Sequence, residues 1–166
     1  MIIDGRARVF GDDVNTDYII SSSRKRQTID AHSLKAFVFE SIAPGFAASV
    51  QTGDLIVAGT NFGCGSAMEV AVTVLQAAGI RAVLARTFAR SFYRNAINNG
   101  LAVVECDTSG IVEGDQLSVN LAGAAISVRN LTRQTTMPGA AVPSTVLQIL
   151  EHGGLIPYLT AKGGFG

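Results

Sequence analysis

The sequence contains no tryptophan, two cysteines and four prolines in 166 residues. Two cysteines, Cys64 and Cys106, cannot build the multi-bridge framework of a small secreted domain, so the fold must rest on a hydrophobic core. Charge is also scarce: 16% of residues are charged, and thirteen basic side chains balance thirteen acidic ones. No basic stripe with interleaved aromatics is present, which argues against nucleic acid as the main partner. The most apolar window, Val70 to Ala85, is interrupted by Gln76, Gly79 and Arg81 and falls short of a membrane span. The opening residues, MIIDGRARVF, have no long apolar stretch of the kind that marks a secretory signal. These absences lead to the expectation of a cytoplasmic protein that engages neither membrane nor nucleic acid.

What is present is a chain that is 48% hydrophobic and long enough to bury a real core, read as a single domain over residues 1–166. Strand character at Arg6 to Phe10 leads into the turn-rich GDDVNTD. Ala31 to Ile42 has helical content, with Asp30 as N-cap and Pro44-Gly45 as a stop. Beyond it the spacing predicts a strand at Asp54 to Ala58 and a helix from Ala67 to Ala78 closed by Gly79. A strand at Arg81 to Ala85, a helix at Phe88 to Asn98 and a strand at Leu101 to Cys106 follow. This βαβαβ order predicts parallel strands with right-handed crossovers, hence an α/β fold. GDQLSVNLAGAAISVRN reads as an appended hairpin, and Pro143 to His152 as the last helix before a glycine-rich tail expected to fray.

The segment with most chemical content is GTNFGCGSAMEVA, Gly59 to Ala71. Ser66 and Glu69 have the spacing of a capping box, in which hydroxyl and carboxylate each satisfy a backbone N–H at a helix start. The same glycine-rich strand-to-helix loop would also expose N–H groups at a helix N-terminus, on the carboxyl side of a parallel strand, where α/β proteins bind anions. The spacing matches neither a dinucleotide fingerprint nor a phosphate-binding P-loop. Asn61 and Cys64 lie on the loop; Asn61 serves either a ligand or the turn's own backbone.

Three blocks, GDDVNTDYII, GTNFGCGS and ARTFARSFYRNAINNGL, in this order and spacing, resemble the small subunit of isopropylmalate isomerase, the swivelling domain of the aconitase superfamily supplied as a separate chain. The likeness covers nearly the whole chain, down to LQILEHGGLIPYL. It implies a three-layer swivelling β/β/α domain, with the parallel βαβαβ unit plus a hairpin. It also implies a hydro-lyase or isomerase subunit acting on a small hydroxy-carboxylate. In this family a [4Fe–4S] cluster held by three cysteines acts on the departing hydroxyl. Because this chain has only Cys64 and Cys106, far apart in sequence, the cluster is expected in a partner large subunit and no metal site here. A surface meant for that partner leaves homodimerisation open for the isolated chain.

The resemblance also implies residue roles. The serine after GCG is the family's base, which is Ser66 here, with Asn61, Gly63, Cys64, Gly65, Ala67 and Met68 around the substrate. The usual pattern GSSREHA reads GSAMEVA in this chain, so Ala67 replaces a serine and Met68 an arginine that grips a substrate carboxylate. Methionine offers no bidentate equivalent. The family's substrate-selecting loop falls at YIISSSRKRQ, where Arg24 and then Arg26 are the candidate cations. Two readings remain at this point: an enzyme subunit for an isopropylmalate-like substrate such as dimethylmalate or citramalate, or a non-catalytic anion-binding or regulatory protein that keeps the fold.

Overall fold

The structure is a computed structural model and describes residues 1–123 and 125–164. Strand β1 (Ile2–Val9) lies in the middle of a seven-stranded mixed sheet. On one side it pairs in parallel with β2 (Leu55–Val57), which is followed outward by β3 (Ala82–Ala85) and β4 (Ala102–Glu105), all parallel. On its other side run β5 (Gln116–Asn120), β6 (Ser127–Asn130) and β7 (Thr135–Pro138), each antiparallel to its neighbour. The expected βαβαβ unit is present, with α5 (Glu69–Ala77) between β2 and β3 and α6 (Arg90–Asn98) between β3 and β4.

The strands β2 and β3 read as unbroken apolar runs because both of their faces are covered. Ile56, Val83 and Val103 point to a core shared with α5, α6 and the phenylalanines Phe39 and Phe46. The alternate residues Val57, Leu84 and Val104 point to a second core with Val119 and Val128 of the antiparallel strands. The sheet therefore curls over itself, and helices, parallel strands and antiparallel strands form three layers. The curl closes where Cys106 bridges Gly139 and the Ala140 N–H donates to the Glu105 carbonyl at 2.8 Å.

Several expectations need correction. Strand β1 begins at Ile2 rather than Arg6, because its first half is paired only by β5, from far along the chain. The expected helix from Ala31 to Ile42 is a single turn, α3 (Ala31–Leu34), then a 3-10 turn at Lys35–Phe37. It breaks at buried Phe39, which has φ 56°. Asp30 does cap it, accepting from the Ser33 N–H at 3.0 Å. Two further single turns, α1 (Thr16–Ile19) and α2 (Ser22–Lys25), precede it, and α4 (Phe46–Ser49) follows. The expected hairpin gains a third strand, β7, and its turn residue Ala124 lies outside the described residues. Past α7 (Ser144–Glu151) the tail forms another helix, α8 (Leu155–Ala161); Phe165 and Gly166 lie outside the described residues. Among the described residues no helix is long and apolar enough to cross a membrane.

Candidate active site

The loop leaving β2 is fastened to the N-terminal turn by a ladder of backbone bonds. Gly59 N–H donates to the Gly11 carbonyl, Asp13 N–H to Thr60, Gly63 N–H to Val14 and Thr16 N–H to Cys64, all at 2.8–3.0 Å. Thr16, itself buried, adds its hydroxyl to the Ser66 carbonyl at 2.8 Å. Two glycines allow the close approach. Gly63 has φ +82° and Gly65 φ +91°, and a Cβ would strike the Phe92 ring at the first and the Asn15 amide at the second. The loop is thus pressed between the N-terminal turn and α6.

This fastening overturns the capping box. Helix α5 starts at Glu69, and Met68 is its N-cap residue with no side-chain cap bond. Because Thr16 draws the carbonyls of Cys64 and Ser66 toward the N-terminal turn, Ser66 is held two residues short of the cap. Its side chain is exposed and, among the described residues, unpartnered. The same holds for the backbone N–H groups of Gly65, Ser66, Ala67 and Met68, which find no acceptor among the described residues. A free hydroxyl therefore sits among unused donors at the positive end of α5, an arrangement suited to a carboxylate or a developing oxyanion.

Asn61 and Cys64 have more structural duties. Asn61 adopts φ +58°, a conformation asparagine tolerates, with its N–H on the Thr87 hydroxyl at 2.7 Å and its side-chain amide on Asp13 at 2.9 Å. Burial and the nearby Asp13 raise the Cys64 thiol above its ordinary value, so it stays protonated. Cys106 lies across the sheet in the second core, where burial and Asp107 push its thiol to about 11. Cys64 and Cys106 belong to no group of three or more metal-ligating side chains among the described residues, and this donor set does not fit an iron–sulfur cluster.

The basic segment divides its three cations. Arg24 forms a bidentate pair with Glu40, at 3.0 and 3.1 Å, and lies over the Phe37 ring. Arg26 is exposed. The cation brought to the loop is Lys25, a residue that sequence reasoning passed over. Its Nζ lies 3.1 Å from Asp17 Oδ1 and touches the Met68 sulfur. The Lys25 bond holds the Asp17 carboxyl below its usual range, against the effect of burial and with help from the Ser22 hydroxyl. No local signal marks Lys25, since its contact with Met68 spans 43 residues.

Comparison with known proteins agrees with this architecture. A model of the aconitase C-terminal domain family matches residues 20–109. The 3-isopropylmalate dehydratase small subunit of Moorella thermoacetica is 44% identical over 98% of this chain and 97% of its own. The isopropylmalate/citramalate isomerase small subunit of Methanocaldococcus jannaschii is 45% identical over 97% of this chain and 95% of its own. A crystal structure of 3-isopropylmalate dehydratase from Methanocaldococcus jannaschii superposes with a TM-score of 0.91 at 41% identity, covering 98% of this chain and 96% of that one. These likenesses, over essentially the full length of both partners, carry the enzyme-subunit reading and give no support to a non-catalytic protein. The chain belongs to the family of 3-isopropylmalate dehydratase small subunits, built on the aconitase C-terminal domain.

Proposed function

We propose that this chain is the small subunit of a two-subunit hydro-lyase that removes and re-adds water on a hydroxy-dicarboxylate of the isopropylmalate or citramalate class. Ser66 is its base, taking the proton from the carbon next to a carboxylate. The observation that carries this is the exposed Ser66 hydroxyl among the N–H groups of Gly65 to Met68, which have no acceptor among the described residues. A serine is a poor base unless its alkoxide is stabilised, and fixed backbone donors beside a helix N-terminus supply that stabilisation without reorganisation. Gly63 and Gly65 hold the loop in place, while Ala67 and Met68 form the wall beside Ser66.

The [4Fe–4S] cluster of this reaction class belongs to the large subunit in this reading, because the cysteines here do not fit it. Bound there, it supplies Lewis acidity toward the departing hydroxyl. The "small subunit" names of the relatives support such a partner. So does a rim of exposed apolar residues, Tyr18 and Ile29, on the segment flanking the site. An apolar Met68 beside Ser66 favours a substrate with an alkyl branch at that point, as in isopropylmalate, dimethylmalate or citramalate.

The test is reconstitution with the large subunit from the same cell. The wild-type complex should turn over isopropylmalate or citramalate, and Ser66→Ala should lower turnover by roughly a thousandfold or more. Near-normal turnover in Ser66→Ala would remove the base from this loop.

A further inference from the structure

We infer that Lys25 is the cation that holds a substrate carboxylate in this chain, standing in for the arginine that the family resemblance places at position 68. This inference rests on the reading of Ser66 and its loop as the active site.

Lys25 is the last residue of α2, and its side chain is only 14% exposed, unusually low for a lysine on a single-turn surface helix. It leans inward rather than into solvent, and two residues receive it: Asp17 from α1 and Met68 from the N-cap of α5. The Met68 sulfur is a weak acceptor, and the helix end behind it carries partial positive charge. Among the described residues Asp17 is the one carboxylate paired with Lys25, and its side chain is 47% exposed. An ammonium has three donors, so this geometry leaves the lysine under-used beside four N–H groups that also lack acceptors among the described residues. The cluster has donors in excess and is short of one acceptor. A substrate carboxylate bridging Lys25 and the Ser66 loop supplies it.

Arg24 does not compete for this role. Arg24 is consumed by Glu40 and Phe37, while the next side chain, Lys25, reaches Met68. Replacing an arginine by a lysine also changes what is recognised. The guanidinium fork grips both oxygens of a carboxylate, whereas an ammonium takes one and tolerates other orientations. Asp17 neutralises part of the charge, so the subsite accepts a dicarboxylate with less electrostatic selection than an arginine would impose. The unbranched Met68 side chain packs the substrate's alkyl branch.

The experiment measures equilibrium binding, and in parallel KM and kcat, on the complex with the large subunit. The ligands are 3-isopropylmalate and 2-hydroxyisocaproate, which has the same skeleton without the second carboxylate. Lys25→Met should weaken 3-isopropylmalate binding and raise its KM by roughly 10- to 100-fold, the worth of one charged hydrogen bond. Its kcat should fall less than about tenfold, and 2-hydroxyisocaproate binding should not change. Lys25→Gln, which can still bond Asp17, should show the same selective loss. Met68→Arg added to Lys25→Met should recover dicarboxylate binding. If wild type binds 3-isopropylmalate but Lys25→Met binds it equally well, or weakens both ligands alike, Lys25 is structural and this inference fails alone. If the wild-type complex binds neither ligand, the parent reading fails and takes this inference with it.

Discussion

Gly63→Ala isolates the cost of pressing the Ser66 loop against α6. Gly63 has φ +82°, and an added Cβ would lie 2.3 Å from both Cβ and Cγ of Phe92. Phe92 cannot move aside: it is buried, edge-on to Phe62 at 5.1 Å and stacked with Phe88 at 6.3 Å. Left-handed backbone at alanine costs about 1–2 kcal/mol, and overpacking of this kind about 1–3 kcal/mol more. The sum is about 2–5 kcal/mol, which in a domain of this size lowers Tm by roughly 4–20 °C. Gly45→Ala is the matched control, because Gly45 has φ +85° with nothing within 4 Å of the added Cβ. It should show the strain alone, about 1–2 kcal/mol. Urea unfolding of both variants, with equal m-values, reads the difference directly. Gly63→Ala should also displace Ser66 and lower turnover of the reconstituted complex by about a hundredfold. Equal stabilities for Gly63→Ala and Gly45→Ala would show that the loop is free to move off α6, and would refute the packing argument.

Other outcomes follow from the same geometry. Ser66→Ala should change stability by less than about 0.5 kcal/mol, since the hydroxyl caps nothing, and denaturant unfolding checks this alongside the loss of turnover. Asp54 is buried: desolvation pushes its carboxyl up, but Arg6, the Gln51 N–H and Arg8 outweigh it and leave it below the usual range. A depressed native pKa gives stability that is present above the ordinary carboxylate value of about 4 and lost as pH falls through the lower native value. Asp54→Asn should therefore cost about 2–3 kcal/mol at pH 7, with the gap to wild type narrowing in acid unfolding below about pH 4. In thiol alkylation at pH 8, Cys64 should react slowly and Cys106, held near 11, only after denaturant is added.

The parallel half of the fold was legible because its signals are local and agree with each other. Apolar runs such as LIVA and AVLA, short loops and Gly79 after α5 leave few alternatives. The misplaced features depend on distant partners. The start of α5 looked like Ser66 because S-x-x-E is a sound local cap, but Thr16 outbids it from 50 residues away. The first half of β1 has no strand signal of its own beyond MIIDG and is fixed by β5. Strand β7 ends in Pro138, tolerable because it lies on the sheet edge, and α8 carries Pro157 in its first turn, where the missing N–H is harmless. At the site, Ser66 and its glycines were readable as a pattern. Lys25 was not, because α2 is too short for helical periodicity to declare which of three adjacent cations turns inward.

The placement of β1 has a consequence for how the chain is made. This is the earliest strand in the sequence, yet it becomes the seam of the finished sheet. Its partner on one side, β2, begins at Leu55, and Val9 can meet Val57 early. Its other partner comes much later: Ile3 must wait for Val119. Until β5 is made the nascent protein therefore holds an α/β half that can settle, with Ile2 to Arg6 as an unpaired edge. Such a long-range closure is slow, and the waiting edge is open to pairing with another chain. The alternating sequence of that edge, with Asp4 and Arg6 between apolar neighbours, is a charged guard during the wait. A chain whose Ser66 loop is complete long before its sheet is closed must survive as an open half-barrel until its last strands appear.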